Sequence, residues 1–274
     1  MQKLTTITGI VLRERAIGEN DKFIDFLSAE QGLVEIKIRG ARKAGSKSAA
    51  ATQLFSYARL CILKNRTFFY ILNSAEVIDS HYAIREDLSK LALVSYFSEL
   101  MKFTILPEMP CPPAVNLLLA AIRHLCAGDR PQALVKAVFE LRLASDIGLM
   151  PALIGCDTCG CYADERMYFR LDKGVLLCEH CAVEQETALD LTKTAELDKT
   201  LLYIIRYIAL VEQERIFHFK TSDKTLAKLS RITERYLRAQ LNTAFPTLQF
   251  YQEVIADETD PPFLQGLPRE SEQT

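Results

Sequence analysis

Two Cys-x-x-Cys pairs, Cys156-Asp157-Thr158-Cys159 and Cys178-Glu179-His180-Cys181, lie eighteen residues apart, and nothing else in the 274-residue chain restricts the backbone as tightly. A two-residue spacer lets a tight turn present two thiolates together, and Gly160 relaxes the backbone just after the first pair. Met167 to Leu177 reads as a hairpin around Asp172-Lys173-Gly174, which returns the second pair to the first. Four soft ligands at tetrahedral corners suit one zinc ion per chain. With every corner filled by cysteine the metal is expected to be structural, because catalysis needs an open position. Buried or redox-active thiols are the alternative. Cys161 and His180 lie close enough in sequence to compete as ligands.

The chain carries eight cysteines and no visible export signal, which points to thiols or metal ligands in a reducing compartment, with the cytosol as the expected location. Cys61, Cys111 and Cys126 read as core or surface thiols. The most apolar run, Leu201 to Val211, is interrupted by Arg206 and is too short to span a bilayer. No membrane association is expected.

Charge is unevenly spread. Residues 1–80 hold 12 Lys and Arg against 8 Asp and Glu, a net +4, while the remainder holds 21 against 27, a net −6. Ile36 to Ala75 contains eight basic residues and no acid, with Phe55, Tyr57, Phe68, Phe69 and Tyr70 interleaved. Such a segment can neutralise phosphates and stack bases. Long cations that merely keep sheet edges soluble are the plainer alternative. The candidate phosphate contacts are Lys37, Arg39, Arg42, Lys43 and Lys47, with Phe55, Tyr57 or Phe68 as stacking platforms.

Short apolar runs fill the first eighty residues: Thr5 to Arg15, Lys22 to Ser28, Leu33 to Arg39, Phe55 to Leu63 and Thr67 to Leu72. Leu33, Glu35, Lys37 and Arg39 alternate with Val34, Ile36 and Ile38, so the two sets face opposite ways. Lys64-Asn65-Arg66 reads as a hairpin turn. Five strands in about eighty residues suit a small closed barrel such as an OB-fold.

From Tyr82 the period becomes helical, with helices expected over Leu88 to Leu100, Ala114 to Cys126, Pro131 to Gly148, Thr192 to Arg215 and, last, Asp223 to Thr243. The expected fold is therefore α+β: an N-terminal five-stranded OB-fold barrel (1–80), then an all-helical domain (81–256) with an inserted zinc ribbon at about 153–183. Residues 257–274 are expected to form a flexible tail. Along the last of these helices, Lys224, Lys228, Arg231, Arg235 and Arg238 fall on one face beside Leu226 and Tyr236. They could grip an acidic peptide or a second nucleic-acid segment, or be an ordinary solvated face.

Catalysis finds little support. The chain has no Gly-rich Lys-Ser/Thr loop, no His-Glu-x-x-His helix and no Gly-x-Ser-x-Gly elbow, and its four histidines are scattered. A metal-dependent nuclease and an RNA-binding OB/zinc-ribbon protein are the competing classes.

Read in order, Gly9-Ile10-Val11-Leu12, Gly18-Glu19-Asn20-Asp21, Arg39-Gly40-Ala41-Arg42-Lys43, Ser74-Ala75-Glu76, Phe139-Glu140-Leu141-Arg142-Leu143 and Gly148-Leu149-Met150-Pro151, followed by the Cys156/Cys159 pair, resemble the RecO family of bacterial recombination mediators over essentially the whole chain. The resemblance implies an amino-terminal OB-fold, a helical carboxy-terminal domain and a zinc module. It also implies a nucleoid-associated, non-enzymatic protein of DNA repair and recombination that binds single- and double-stranded DNA and anneals complementary strands. With RecR such a protein loads RecA onto DNA coated by single-strand-binding protein (SSB), docking on the acidic carboxy-terminal tail of SSB, with RecF as a further partner. Ser46-Lys47-Ser48-Ala49-Ala50-Ala51 departs from the pattern, since relatives often carry more basic charge there.

Overall fold

The computed structural model describes residues 4–43, 45–64, 69–185 and 190–259. Strands β1 (Leu4–Ile17), β2 (Asp21–Ser28), β3 (Gly32–Ile38), β4 (Tyr57–Lys64) and β5 (Tyr70–Asp79) close into a barrel in the order β1-β2-β3-β5-β4, an OB-fold arrangement. Period-two alternation builds it: in β3, Val34, Ile36 and Ile38 are buried while Leu33, Glu35 and Lys37 are half-buried on the outer side. Gly9 is required where β1 crosses β2, because a Cβ there would lie 2.0 Å from the Leu27 carbonyl oxygen. A bulge between Val11 and Arg13 splits the strand's loyalties. Val11 stays in the barrel core, whereas Leu12 turns outward into the core of the helical domain.

The helical domain contains α1 (Tyr82–Arg85), α2 (Leu88–Thr104), α3 (Pro112–Ala127), α4 (Gln132–Asp146), α5 (Glu179–Glu184), α6 (Lys199–Leu210), α7 (Asp223–Leu241) and α8 (Pro246–Thr259). Helix α4 is central, and its Phe139 stacks on Phe97 of α2 with centroids 3.9 Å apart. The Pro-punctuated link after α2 is pinned to the barrel: the Glu108 N–H donates to the Leu33 carbonyl (3.3 Å) and that of Cys111 to Ala29 (3.0 Å). Gly32, at φ +63, lets the link approach so closely that a Cβ would meet the Met109 carbonyl oxygen at 2.2 Å.

Strands β6 (Ala152–Cys156), β7 (Arg166–Arg170), β8 (Val175–Cys178) and β9 (Thr194–Asp198) form a second sheet in the order β6-β8-β7-β9. Here the sequence expectation is corrected. Thr192 to Arg215 is not one helix, because Thr194 to Asp198 pairs with β7 from Arg170 to Arg166. The Asp198 carboxylate then accepts the Leu201 N–H (2.9 Å) and starts α6. Nor is α7 the last helix. Asn242 ends it in the left-handed region at φ 48, and α8 follows, burying Leu248, Tyr251 and Val254. Helix α8 continues to Thr259, so the first three residues of the expected tail are helical, and residues 260–274 lie outside those described, as do Asn65 and Arg66 of the expected hairpin turn. Among the described residues no helix is long and apolar enough to cross a membrane.

Candidate metal centre and nucleic-acid interface

The ends of two strands build the cysteine cluster. Cys156 closes β6, and the Gly160 N–H donates back to its carbonyl (2.9 Å) across a turn that brings Cys159 round. Cys178 closes β8, and the first turn of α5 places Cys181 beside it. The four sulfurs lie within 4.8 Å of one another, with Cys159 Sγ and Cys178 Sγ 3.6 Å apart. Tetrahedral metal–sulfur bonds of about 2.3 Å require sulfur separations near 3.8 Å, so the cluster fits a single thiophilic ion. Cys156, Cys178 and Cys181 are buried and Cys159 is exposed. Burial pushes the Cys156 thiol up, but the backbone N–H groups of Cys159, Cys178 and Thr158 outweigh it and bring it down to about 6, a thiolate ready to ligate. Burial and the neighbouring thiols push Cys181 up instead. Of the two competing ligands, Cys161 lies outside the cluster, whereas His180 and Glu184 form a second, exposed group around Cys181 with ligand atoms within 4.8 Å. Cys161 Sγ instead turns to the Ala163 carbonyl (3.3 Å), and the exposed His180 sits 3.6 Å from the carboxylate of Glu184.

On the barrel the acid-free window is acid-free only in sequence. Lys37 lies 3.4 Å from Asp21, Arg59 2.9 Å from Glu76 and Lys64 2.8 Å from Glu108, all acids from outside the window. Arg39, Arg42, Lys43 and Lys47 are exposed and, among the described residues, have no ion pair. Their turn is firmly held: the Gly40 N–H donates to the Asp21 carboxylate (2.9 Å), that of Arg42 to the Asn20 carbonyl (3.0 Å) and that of Lys43 to Gly40 (3.2 Å). The Gly40 N–H, and then Lys37, hold the Asp21 carboxyl below its ordinary value of 3.8.

The aromatic candidates need correction. Phe55 is 1% exposed and packs in the helical domain's core, so it offers no face to a base. Tyr57 is half-buried, and Phe68 lies outside the described residues. Among the described barrel residues, charge and aromatics meet at Tyr70, with the Lys64 ammonium 5.4 Å from its ring, and at Phe23, whose ring carries the Glu35-paired Arg15 guanidinium at 5.5 Å and meets Phe69 edge-on at 5.1 Å. Phe23 falls on the outward side of the period-two alternation in β2, the signal that would have found it.

The α7 stripe divides in two. Lys224, Lys228 and Arg231 are exposed, and Arg238 lies 3.9 Å from Glu234. Arg235 turns inward, where its guanidinium donates to the carbonyls of Leu191, Thr192 (3.0 Å) and Thr194 (3.3 Å). Leu226 and Tyr236 are core residues, the latter donating its hydroxyl to the Leu149 carbonyl (2.6 Å), so they form no apolar notch beside the cations.

Residues 1–81 match the family model of the recombination protein O N terminal, and residues 85–249 match that of the recombination protein O C terminal. Among curated relatives, the DNA repair protein RecO of Acetivibrio thermocellus is 31% identical over 89% of this chain and 94% of its own. That of Symbiobacterium thermophilum is 33% identical over 90% and 96%, and that of Exiguobacterium sibiricum 31% over 84% and 88%.

Proposed function

Because the chain belongs to the RecO family of DNA repair proteins, we propose that it is a non-enzymatic recombination mediator that binds single- and double-stranded DNA on the barrel and anneals complementary strands. With RecR it helps load RecA onto SSB-coated DNA. The observation that carries the DNA reading is the pinned turn after β3, where Arg39, Arg42, Lys43 and Lys47 are exposed and, among the described residues, form no ion pair. Counter-ion release from phosphates supplies the binding free energy and makes it steeply salt-dependent. Annealing then needs no nucleophile. Neutralising the repulsion between two phosphate backbones and holding them close lowers the barrier to pairing.

The cysteine cluster takes zinc as a structural ion, held by Cys156, Cys159, Cys178 and Cys181, and it fixes the second sheet against the helices. Lys224, Lys228 and Arg231 remain the best cations of α7 for an acidic SSB tail, with Arg238 at the end of the row and Arg235 kept for the protein itself. The test is annealing of complementary oligonucleotides without nucleotide cofactor, with and without SSB and RecR. Hydrolysis of the DNA in the presence of magnesium would favour a nuclease instead.

A further inference from the structure

The parallel pairing of β3 with β5 is confined to Ile36↔Tyr70 and Lys37↔Ile71. Immediately beyond it β5 bulges: Ile62 pairs with Leu72 and Cys61 with Ser74, which leaves Asn73 as the extra residue. Between the diverging strands and the turn after β3 opens a cavity of about 330 Å³. Its chemistry is mixed in a particular way. Leu72 and Ala75 pack against the barrel core and give it an apolar wall. Arg39 and Lys47 add two cations that form no ion pair among the described residues, and Asn73 adds an exposed amide whose contact to the Cys61 sulfur, at 3.9 Å, is weak. Bulges recur beside binding sites because they re-aim one side chain, and here that side chain is an amide with both a donor and an acceptor to offer.

We propose that this cavity seats one unstacked nucleotide of a single strand, with its phosphate on Arg39 and Lys47, its base against Leu72 and Ala75, and its base edge on Asn73. The proposal rests on the barrel being the DNA-binding domain and adds to it a means of telling strand states apart. In a duplex the base faces are stacked and the pairing edges taken, so a duplex reaches only the cations. A cavity at the small end of the range for ligand sites fits one nucleotide, not a longer segment.

The test is fluorescence anisotropy of the full-length protein with three probes of equal length: a single strand, a duplex and a single strand of abasic sites. Asn73→Leu is expected to weaken the intact single strand roughly tenfold, the scale of one lost polar contact, and to leave the duplex and the abasic strand unchanged. Asn73→Ser, milder for the strand, is expected to change the same probe in the same direction should Asn73→Leu fail to fold. Equal loss on all three probes, or on none, would overturn the base seat. Arg39→Ala separates the levels, because it should weaken all three probes. If it weakens none, the DNA-binding reading of the barrel fails first.

Discussion

At the scale of single residues, the cationic turn is defined by what its neighbours leave over. Asp21, Glu76 and Glu108 occupy Lys37, Arg59 and Lys64, and among the described residues Arg39, Arg42 and Lys43 form no ion pair, though Arg42 also donates to the Gly18 carbonyl (3.3 Å). Replacing those three with alanine is expected to weaken single-strand binding across all sequences. At about −0.7 per phosphate contact, the log–log salt slope should flatten by about 2. Unchanged affinity and slope in salt titrations would place the site elsewhere. Asp21 is the residue that shapes the turn. Its carboxyl is held below 3.8 by the Gly40 N–H and then Lys37, so the contact is complete above about pH 4 and is lost as pH falls through Asp21's own lower value. The Gly40 amide resonance should therefore titrate at acid pH in the natural protein and stop titrating in Asp21→Asn; a titration that persists in the variant would assign it to another group. None of the three acid pairings is local in sequence, which is why a composition window could show the charge but not which cations are free.

At the scale of elements, the second sheet and the helical core make separate predictions. Cys178→Ser should lower zinc below one per chain by elemental analysis and destabilise the helical domain, with the barrel's folding spared. Full zinc content or an intact domain in that variant would contradict the assignment. In the core, Lys136 of α4 is 3% exposed and lies 2.8 Å from both Glu140, itself fully buried, and Glu234. Tyr96 and Thr233 donate to the two Glu140 oxygens at 2.9 and 2.8 Å, tying α2 and α7 to α4. Lys136→Met leaves the buried Glu140 carboxylate without its cation and should cost about 3–5 kcal/mol in denaturant unfolding. A loss under about 1 kcal/mol would show that the network is solvated. The first four strands of the barrel were legible because alternation has period two and one face is buried, but β5, expected over Thr67 to Leu72, runs from Tyr70 to Asp79, its far half too exposed to alternate. Strand β9 was not, since five residues ahead of an amphipathic helix look helical until β7 is there to pair with them. Likewise Phe55, a plausible base platform from its neighbours, is drawn into the rear core by the chain's positive φ of 65 and the Phe55 N–H bond to Val11. The clustering of the four cysteines was legible from spacing alone, and Cys161 lies outside the cluster, but that His180 and Glu184 gather around Cys181 as a second group was not, since it depends on the turn of α5.

At the scale of the whole molecule, a barrel of net +4 is joined to a remainder of net −6 through a shared core at Leu12 and Phe55 and through the pinned link at Glu108 and Cys111. That polarity favours one polyanion-facing end and leaves the other for protein partners. The central claim is that the barrel's cations bring complementary strands together without chemistry. Its most direct measurement is the rate at which fluorescently paired complementary oligonucleotides anneal, with magnesium and nucleotide absent. The full chain should accelerate annealing well above the spontaneous rate, with the effect fading as salt rises, and the Arg39→Ala, Arg42→Ala, Lys43→Ala variant should lose most of it while remaining folded. An annealing rate no faster than the spontaneous one, or a triple variant as active as the natural chain, would contradict the account.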